Sequence, residues 1–121
     1  MTDSKTILCV EDDKDSYELL QFVLESEDFQ VVTCDSSAEG LRLAQQNSFS
    51  AIILDNRLAD ISGVEICRRI RTYDQRTPII FYSASAYQED REAGLAAGAN
   101  DYLVKPGDFV RIAETIKRLV L

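Results

Sequence analysis

The chain has no histidine, and its three cysteines, Cys9, Cys34 and Cys67, are odd in number and widely spaced. These absences leave no ligand set for a structural zinc and no pairing pattern for a disulfide framework, so the thiols are expected as small buried or half-buried side chains. Basic residues are also scarce, with 13 Lys and Arg against 21 Asp and Glu and a net charge of −8. That balance disfavours nonspecific attraction to nucleic acid or anionic lipid, and no basic run of the nucleic-acid kind is present. No apolar stretch approaches the ~20 residues of a membrane span, and Met1-Thr2-Asp3-Ser4-Lys5 lacks the apolar core of a signal peptide. The expectation is a cytoplasmic protein with no membrane partner and no direct nucleic-acid contact. Repeats, low-complexity tracts and Pro/Gly-rich linkers are missing too. The 121 residues therefore fit one domain, spanning 1–121 and ending with its final helix.

What the chain does have is alternation. Five β-branched or aliphatic runs of strand length lie near 6–11, 29–34, 51–55, 78–83 and 101–104. Segments with helical spacing separate them. Asp15-x-x-Glu18 and Ser36-x-x-Glu39 have the form of capping boxes for the first two helices. Ser16, Leu20, Val23 and Leu24 share one face of the first helix, and Phe109, Ile112, Ala113, Ile116 and Val120 share one face of the last. Helices three and four fall near 63–73 and 88–97, the fourth short and rich in Ala and Gly. Strictly alternating βα units predict an α/β fold, a doubly wound parallel sheet with helices on both faces. The continuous apolar run Ala51–Leu54 fits a central strand buried on both sides.

Chemistry-bearing residues stand where these runs end. Glu11-Asp12 follow the first, Asp55 the third, Ser83 closes the fourth, and Lys105-Pro106 follow the fifth. If the runs are neighbouring parallel strands, their carboxyl ends share the edge at which open α/β sheets bind ligands. Three acids, a hydroxyl and an ammonium would then converge. The set suits a divalent cation and a phosphoryl group, with Asp55 as acceptor. Carboxylates about 5 Å apart repel by roughly 3 kcal/mol at an effective dielectric near 20, so a pocket without metal should take up protons more readily. Lys105 can pair first with Asp55 and later with a phosphoryl oxygen, and Ser83 can donate to another such oxygen. Asp13 is expected to face away if its neighbours face in.

This pattern resembles the response-regulator receiver domain of two-component signalling over essentially its whole length. The family's acidic pair resembles Glu11-Asp12, its phosphoacceptor Asp55, its hydroxyl residue Ser83 followed by Ala84, its Lys-Pro Lys105-Pro106, and its aromatic switch residue Tyr102. The stretch Ala97-Gly98-Ala99-Asn100-Asp101-Tyr102 is also similar to the family's approach to the fifth strand. The resemblance implies a flavodoxin-like (βα)5 fold, a five-stranded sheet of order 2-1-3-4-5, and a cis peptide before Pro106. It implies Mg²⁺, with Mn²⁺ able to substitute, ligated directly by Asp12 and Asp55, by Glu11 through water, and by the backbone carbonyl of Arg57.

Its functional implication is a signalling receiver rather than a turnover enzyme. Such a domain takes a phosphoryl group from a histidine kinase or phosphotransfer protein onto Asp55, with Lys105 and Ser83 assisting, and loses it slowly by itself. Ser83 and Tyr102 would then alter the surface read by a downstream effector or output domain, or by a phosphorylation-dependent dimer through the 88–121 region.

Two departures carry expectations. Ala59 stands where many relatives have Pro, which predicts a looser loop, and Gly107 stands where an aromatic commonly follows Lys-Pro, which predicts a weaker anchor for the last loop. Phe22 lies off the apolar face of the first helix at 100° per residue, beside Leu19. Because that helix starts next to the acidic pocket, Leu19 and Phe22 form a candidate kinase-docking patch. An aspartate-based phosphatase of the haloacid-dehalogenase type fits less well, since it would need a second Asp at Arg57. A flavin carrier fits less well also, since Glu11-Asp12-Asp13 would repel the flavin phosphate.

Overall fold

Val, Ile and Leu dominate the runs that become strands because a pleated segment covered on both faces must bury every side chain. In the computed structural model, which describes residues 5–120, those runs are β1 (Lys5–Val10), β2 (Phe29–Cys34), β3 (Ala51–Leu54), β4 (Ile79–Ser83) and β5 (Asp101–Val104). The extreme ends of the expected 1–121 domain lie outside the described residues. All pairings are parallel and the order is β2-β1-β3-β4-β5, the flavodoxin-like arrangement. Between the strands run α1 (Lys14–Glu25), α2 (Ser37–Gln46), α3 (Gly63–Arg71) and α4 (Gln88–Ala96). A short 3₁₀ turn, Phe109–Arg111, leads into α5 (Ile112–Val120).

The period of two along each strand divides the core. Ile7, Cys9, Ile53, Ile80, Tyr82 and Leu103 face Leu20 and Leu24 of α1 and Ile112 and Ile116 of α5. Leu8, Val10, Ile52, Leu54, Ile79, Phe81 and Tyr102 face the other way, against Ile66, Cys67 and Ile70 of α3. No disulfide forms. Cys9 and Cys67 are buried and Cys34 half-buried, and burial pushes the Cys34 and Cys67 thiols up to about 11. Among the described residues no helix is long and apolar enough to cross a membrane.

The first capping box does not form as read. Helix α1 starts one residue after Asp13, whose Oδ2 accepts from the Ser16 amide at 3.0 Å and the Ser16 hydroxyl at 2.7 Å. The chain turns straight out of the strand, so the cap falls on Asp13 and leaves Asp15 inside the first turn, where its charge suits the helix dipole. Ser36 caps α2 as expected, accepting from the Glu39 amide at 3.2 Å. Glu39, however, grips Arg42 at 2.6 Å.

Both loops expected to be loose are tied. In the 56–62 loop, Asp60 accepts from the Ser37 and Ala38 amides at 3.2 Å each, and the Ser37 hydroxyl donates to the Ile61 carbonyl at 2.7 Å. After Lys105-Pro106, which is cis, Asp108 Oδ2 accepts from the Val104 amide at 2.9 Å. The Phe109 ring lies 6.3 Å from that of Tyr82, so it supplies an aromatic anchor that Gly107 does not.

Candidate functional site

Parallel pairing places the residues that follow β1 and β3 side by side. The Asp55 amide donates to the Val10 carbonyl at 3.0 Å, and the Lys105 amide donates to the Ser83 carbonyl at 2.9 Å. Carboxylate oxygens of Glu11, Asp12 and Asp55 come within 4.8 Å of one another. Glu11 and Asp55 are buried, while Asp12 is exposed at the mouth. Asp13 turns away to cap α1, as the alternation of facing predicts.

Lys105 bridges the two buried acids, with Nζ 2.5 Å from Glu11 Oε1 and 3.2 Å from Asp55 Oδ2. The pairing with Asp55 read from the sequence is present, and Glu11 is a second, nearer partner. The ammonium also lies 5.7 Å from the centre of the Tyr82 ring, a favourable cation–π placement. Two buried carboxylates without Lys105 would be costly, because each leaves water without a counter-charge.

Electrostatics follow from that crowding. Burial is the main cause that pushes the Glu11 carboxyl up to about 7; the Asp55 charge adds to it, while Lys105 and the Asp13 amide oppose it. The uptake of protons expected from repulsion therefore has desolvation as its larger source. Burial alone would lower the Lys105 ammonium, but Glu11 and Asp55 outweigh it and raise it. The donor set suits a hard divalent cation: oxygen only, anionic, and open on the Asp12 side. Such an ion would take over the neutralisation that Lys105 supplies.

Ser83 is fully buried, and its Oγ accepts from the Ser85 amide at 3.1 Å, leaving its own proton free to donate. Tyr102 is 1% exposed. Its ring stacks on Phe81 with centroids 5.2 Å apart, and its hydroxyl donates to the Ser85 carbonyl at 2.7 Å. The ring thus lies inward in this structure. The Arg57 amide donates to Asp55 Oδ1 at 3.2 Å, while its side chain reaches across to Ser85 Oγ at 2.7 Å.

Ser85 was missed from the sequence. The signal was present, since in an extended Ser83-Ala84-Ser85 the first and third residues face the same way. Leu19 and Phe22 are both exposed on α1. Leu19 joins Tyr82, Lys105, Pro106 and Phe109 in a groove of about 160 Å³, which Phe22 does not line.

Comparison with known proteins agrees with this geometry. The chain is 38% identical over 117 residues to the transcriptional regulatory protein PrrA of Mycobacterium tuberculosis, covering 97% of this chain and 50% of that protein. It spans about half the length of the curated relatives it matches. Among solved structures, the receiver domain of the sensor histidine kinase PA1611 of Pseudomonas aeruginosa, with magnesium coordinated in its active-site cleft, is 32% identical with a TM-score of 0.88 and 98% coverage of both chains. The response regulator TrrA of Thermotoga maritima, in complex with magnesium and beryllofluoride, is 30% identical with a TM-score of 0.86, covering 95% of this chain and 98% of that one. The model of the response regulator receiver domain matches residues 7–117, and the chain belongs to that family.

Proposed function

We propose that Asp55 is the phosphoacceptor of a two-component signalling switch. The observation that carries this reading is that buried Asp55 both pairs with the Lys105 ammonium and belongs, with Glu11 and Asp12, to a cluster of acids able to hold a cation. Bound there by Asp12 and Asp55, with Glu11 acting through water and the Arg57 carbonyl completing the protein's share, Mg²⁺ or Mn²⁺ would neutralise an incoming phosphoryl group. The magnesium in the PA1611 cleft supports this assignment.

In the transfer, an Asp55 carboxylate oxygen forms a bond to phosphorus as the donor's P–N bond breaks, and the electron pair stays on the imidazole nitrogen of a kinase or phosphotransfer protein. Lys105 pairs with one phosphoryl oxygen and Ser83 donates to another. Neither has to act as a base. The acyl phosphate is then lost slowly to water. Interior placement of Tyr102 is one of two states whose populations the phosphoryl group shifts, and the surface formed by residues 88–121 reads them out.

The donor is a histidine kinase or phosphotransfer protein in a cytoplasmic setting, with Leu19 and Phe22 on the helix it would touch. Output passes to an effector or output domain, or to a dimer through the 88–121 surface. That relatives of twice this length are transcriptional regulatory proteins supports control of an attached output domain.

The test is labelling with acetyl phosphate and Mg²⁺, followed by mass spectrometry. One base-labile phosphoryl group per chain is expected, with acetate released. It should vanish in Asp55→Asn and when the metal is chelated. Stoichiometric labelling of the Asn variant at Ser or Tyr would overturn the assignment.

A further inference from the structure

Ser85 sits at the meeting point of three elements that the phosphoacceptor reading treats separately. Its amide donates to Ser83 Oγ, its carbonyl accepts from the Tyr102 hydroxyl, and its own hydroxyl accepts from Arg57 Nε. Arg57 belongs to the loop that carries Asp55, and its amide donates to the Asp55 carboxylate. A single side chain therefore joins the acceptor loop to the residue that holds the Tyr102 hydroxyl.

The slot for the ring is built in advance. Phe81 forms one wall. Gly94 forms another, where an added Cβ would lie 2.9 Å from Tyr102 Cδ2 and 3.1 Å from the Phe81 ring. What the slot lacks by itself is a fixed polar end. The Tyr102 hydroxyl needs a buried acceptor, and the acceptor it has belongs to the segment linking β4 to α4, where regular pairing has ended.

We propose that the Arg57 side chain is a latch: it fixes Ser85, so that the Ser85 carbonyl keeps the Tyr102 ring inside before any phosphoryl group arrives. Arg57 acts as a positioning residue, through Ser85, on an aromatic with which it shares no hydrogen bond. The regulatory meaning rests on the Asp55 reading above, since a ring held inward in advance biases the domain toward the state that phosphorylation is proposed to favour. The claim about where the ring lies does not depend on that reading.

Nuclear magnetic resonance of the chain carrying carbon-13 at the tyrosine ring ε carbons tests it, without metal or phosphodonor and with a soluble paramagnetic agent as the probe of exposure. Tyr102→Phe identifies the Tyr102 signal, and exposed Tyr87 and buried Tyr82 serve as references. In the parent the Tyr102 signal is protected. Arg57→Ala should lower the ratio of inward to outward ring about fivefold, the worth of one ordinary hydrogen bond, moving the signal toward the exposed position. Ser85→Ala, which keeps the carbonyl, should do the same, and the double variant should add nothing further. A Tyr102 signal as protected in either single variant as in the parent, additive effects, or an exposed ring in the parent would overturn the latch. If Arg57→Ala also exposes Tyr82, that variant has lost its fold and the Ser85→Ala spectrum decides. Failure of Asp55 labelling would leave these spectra unchanged, so the two readings fail separately.

Discussion

Helices α3 and α4 lie on the same face of the sheet but are held by different means. The Ser62 hydroxyl caps α3 by accepting from the Glu65 amide at 3.1 Å, and the helix buries Gly63, Ile66, Cys67 and Ile70. Its end is clasped by Arg71, which donates to the carbonyls of Asp74, Thr77 and Gly98 and to Asn100 Oδ1 over 2.8–3.1 Å. By contrast α4 follows Tyr87, which makes no side-chain cap, and buries only Gly94. Arg91 ties it to β5, donating to the Tyr102 carbonyl at 2.9 Å and facing Asp101 at 4.0 Å. A helix with so little buried surface opens more cheaply than one wedged into the core. Since the Tyr102 slot lies under α4, the element best able to report on that ring is also the one least firmly fixed.

Gly63→Ala should break the comparison most severely. An added Cβ would stand 2.3 Å from the Asp55 carbonyl oxygen and 2.9 Å from the Asn56 Cα, and backbone atoms cannot move aside as a flexible side chain can. A loss of about 3 kcal/mol in urea unfolding is expected. An unchanged midpoint would mean that α3 is not wedged against the acceptor loop. Next comes Arg71→Ala, which frees four acceptors at once and should cost about 2 kcal/mol. Arg91→Ala, which frees one carbonyl, should cost about 1 kcal/mol. Equal losses from the two would erase the contrast.

Gly94→Ala should change stability little. The helix gains about 1 kcal/mol in propensity over Gly, offset by crowding against Tyr102 and Phe81. Its effect should appear instead as displacement of the Tyr102 ring signal, with the α3 resonances unmoved. The smallest effect concerns the loop that delivers α3. The Ser37 hydroxyl, with the Ser37 and Ala38 amides, lowers the Asp60 carboxyl from 3.8 to about 2. Because the folded value is depressed, the contribution of Asp60 is present above 3.8 and is lost as pH falls through about 2. A carboxyl carbon titration that places Asp60 near its ordinary value would show that this tie does not hold in solution.

Period and position along the chain, by themselves, determined the five βα units, the two-sided burial of Ala51–Leu54 and the placing of Glu11, Asp55, Ser83 and Lys105 at strand ends. These are local properties, in which each residue's neighbours in sequence decide its facing. The same reading put the first cap on Asp15 rather than Asp13, because both have the right chemistry and only the angle at which the chain leaves β1 chooses between them. Tertiary structure alone decided which partner Lys105 prefers, since Glu11 lies 94 residues away in sequence. It also decided that Arg57 reaches Ser85 across 28 residues, that Tyr102 is already inside, and that Arg71 clasps the turn before β5. Contacts of that kind depend on how strands are ordered and how far long side chains extend, which no local pattern encodes.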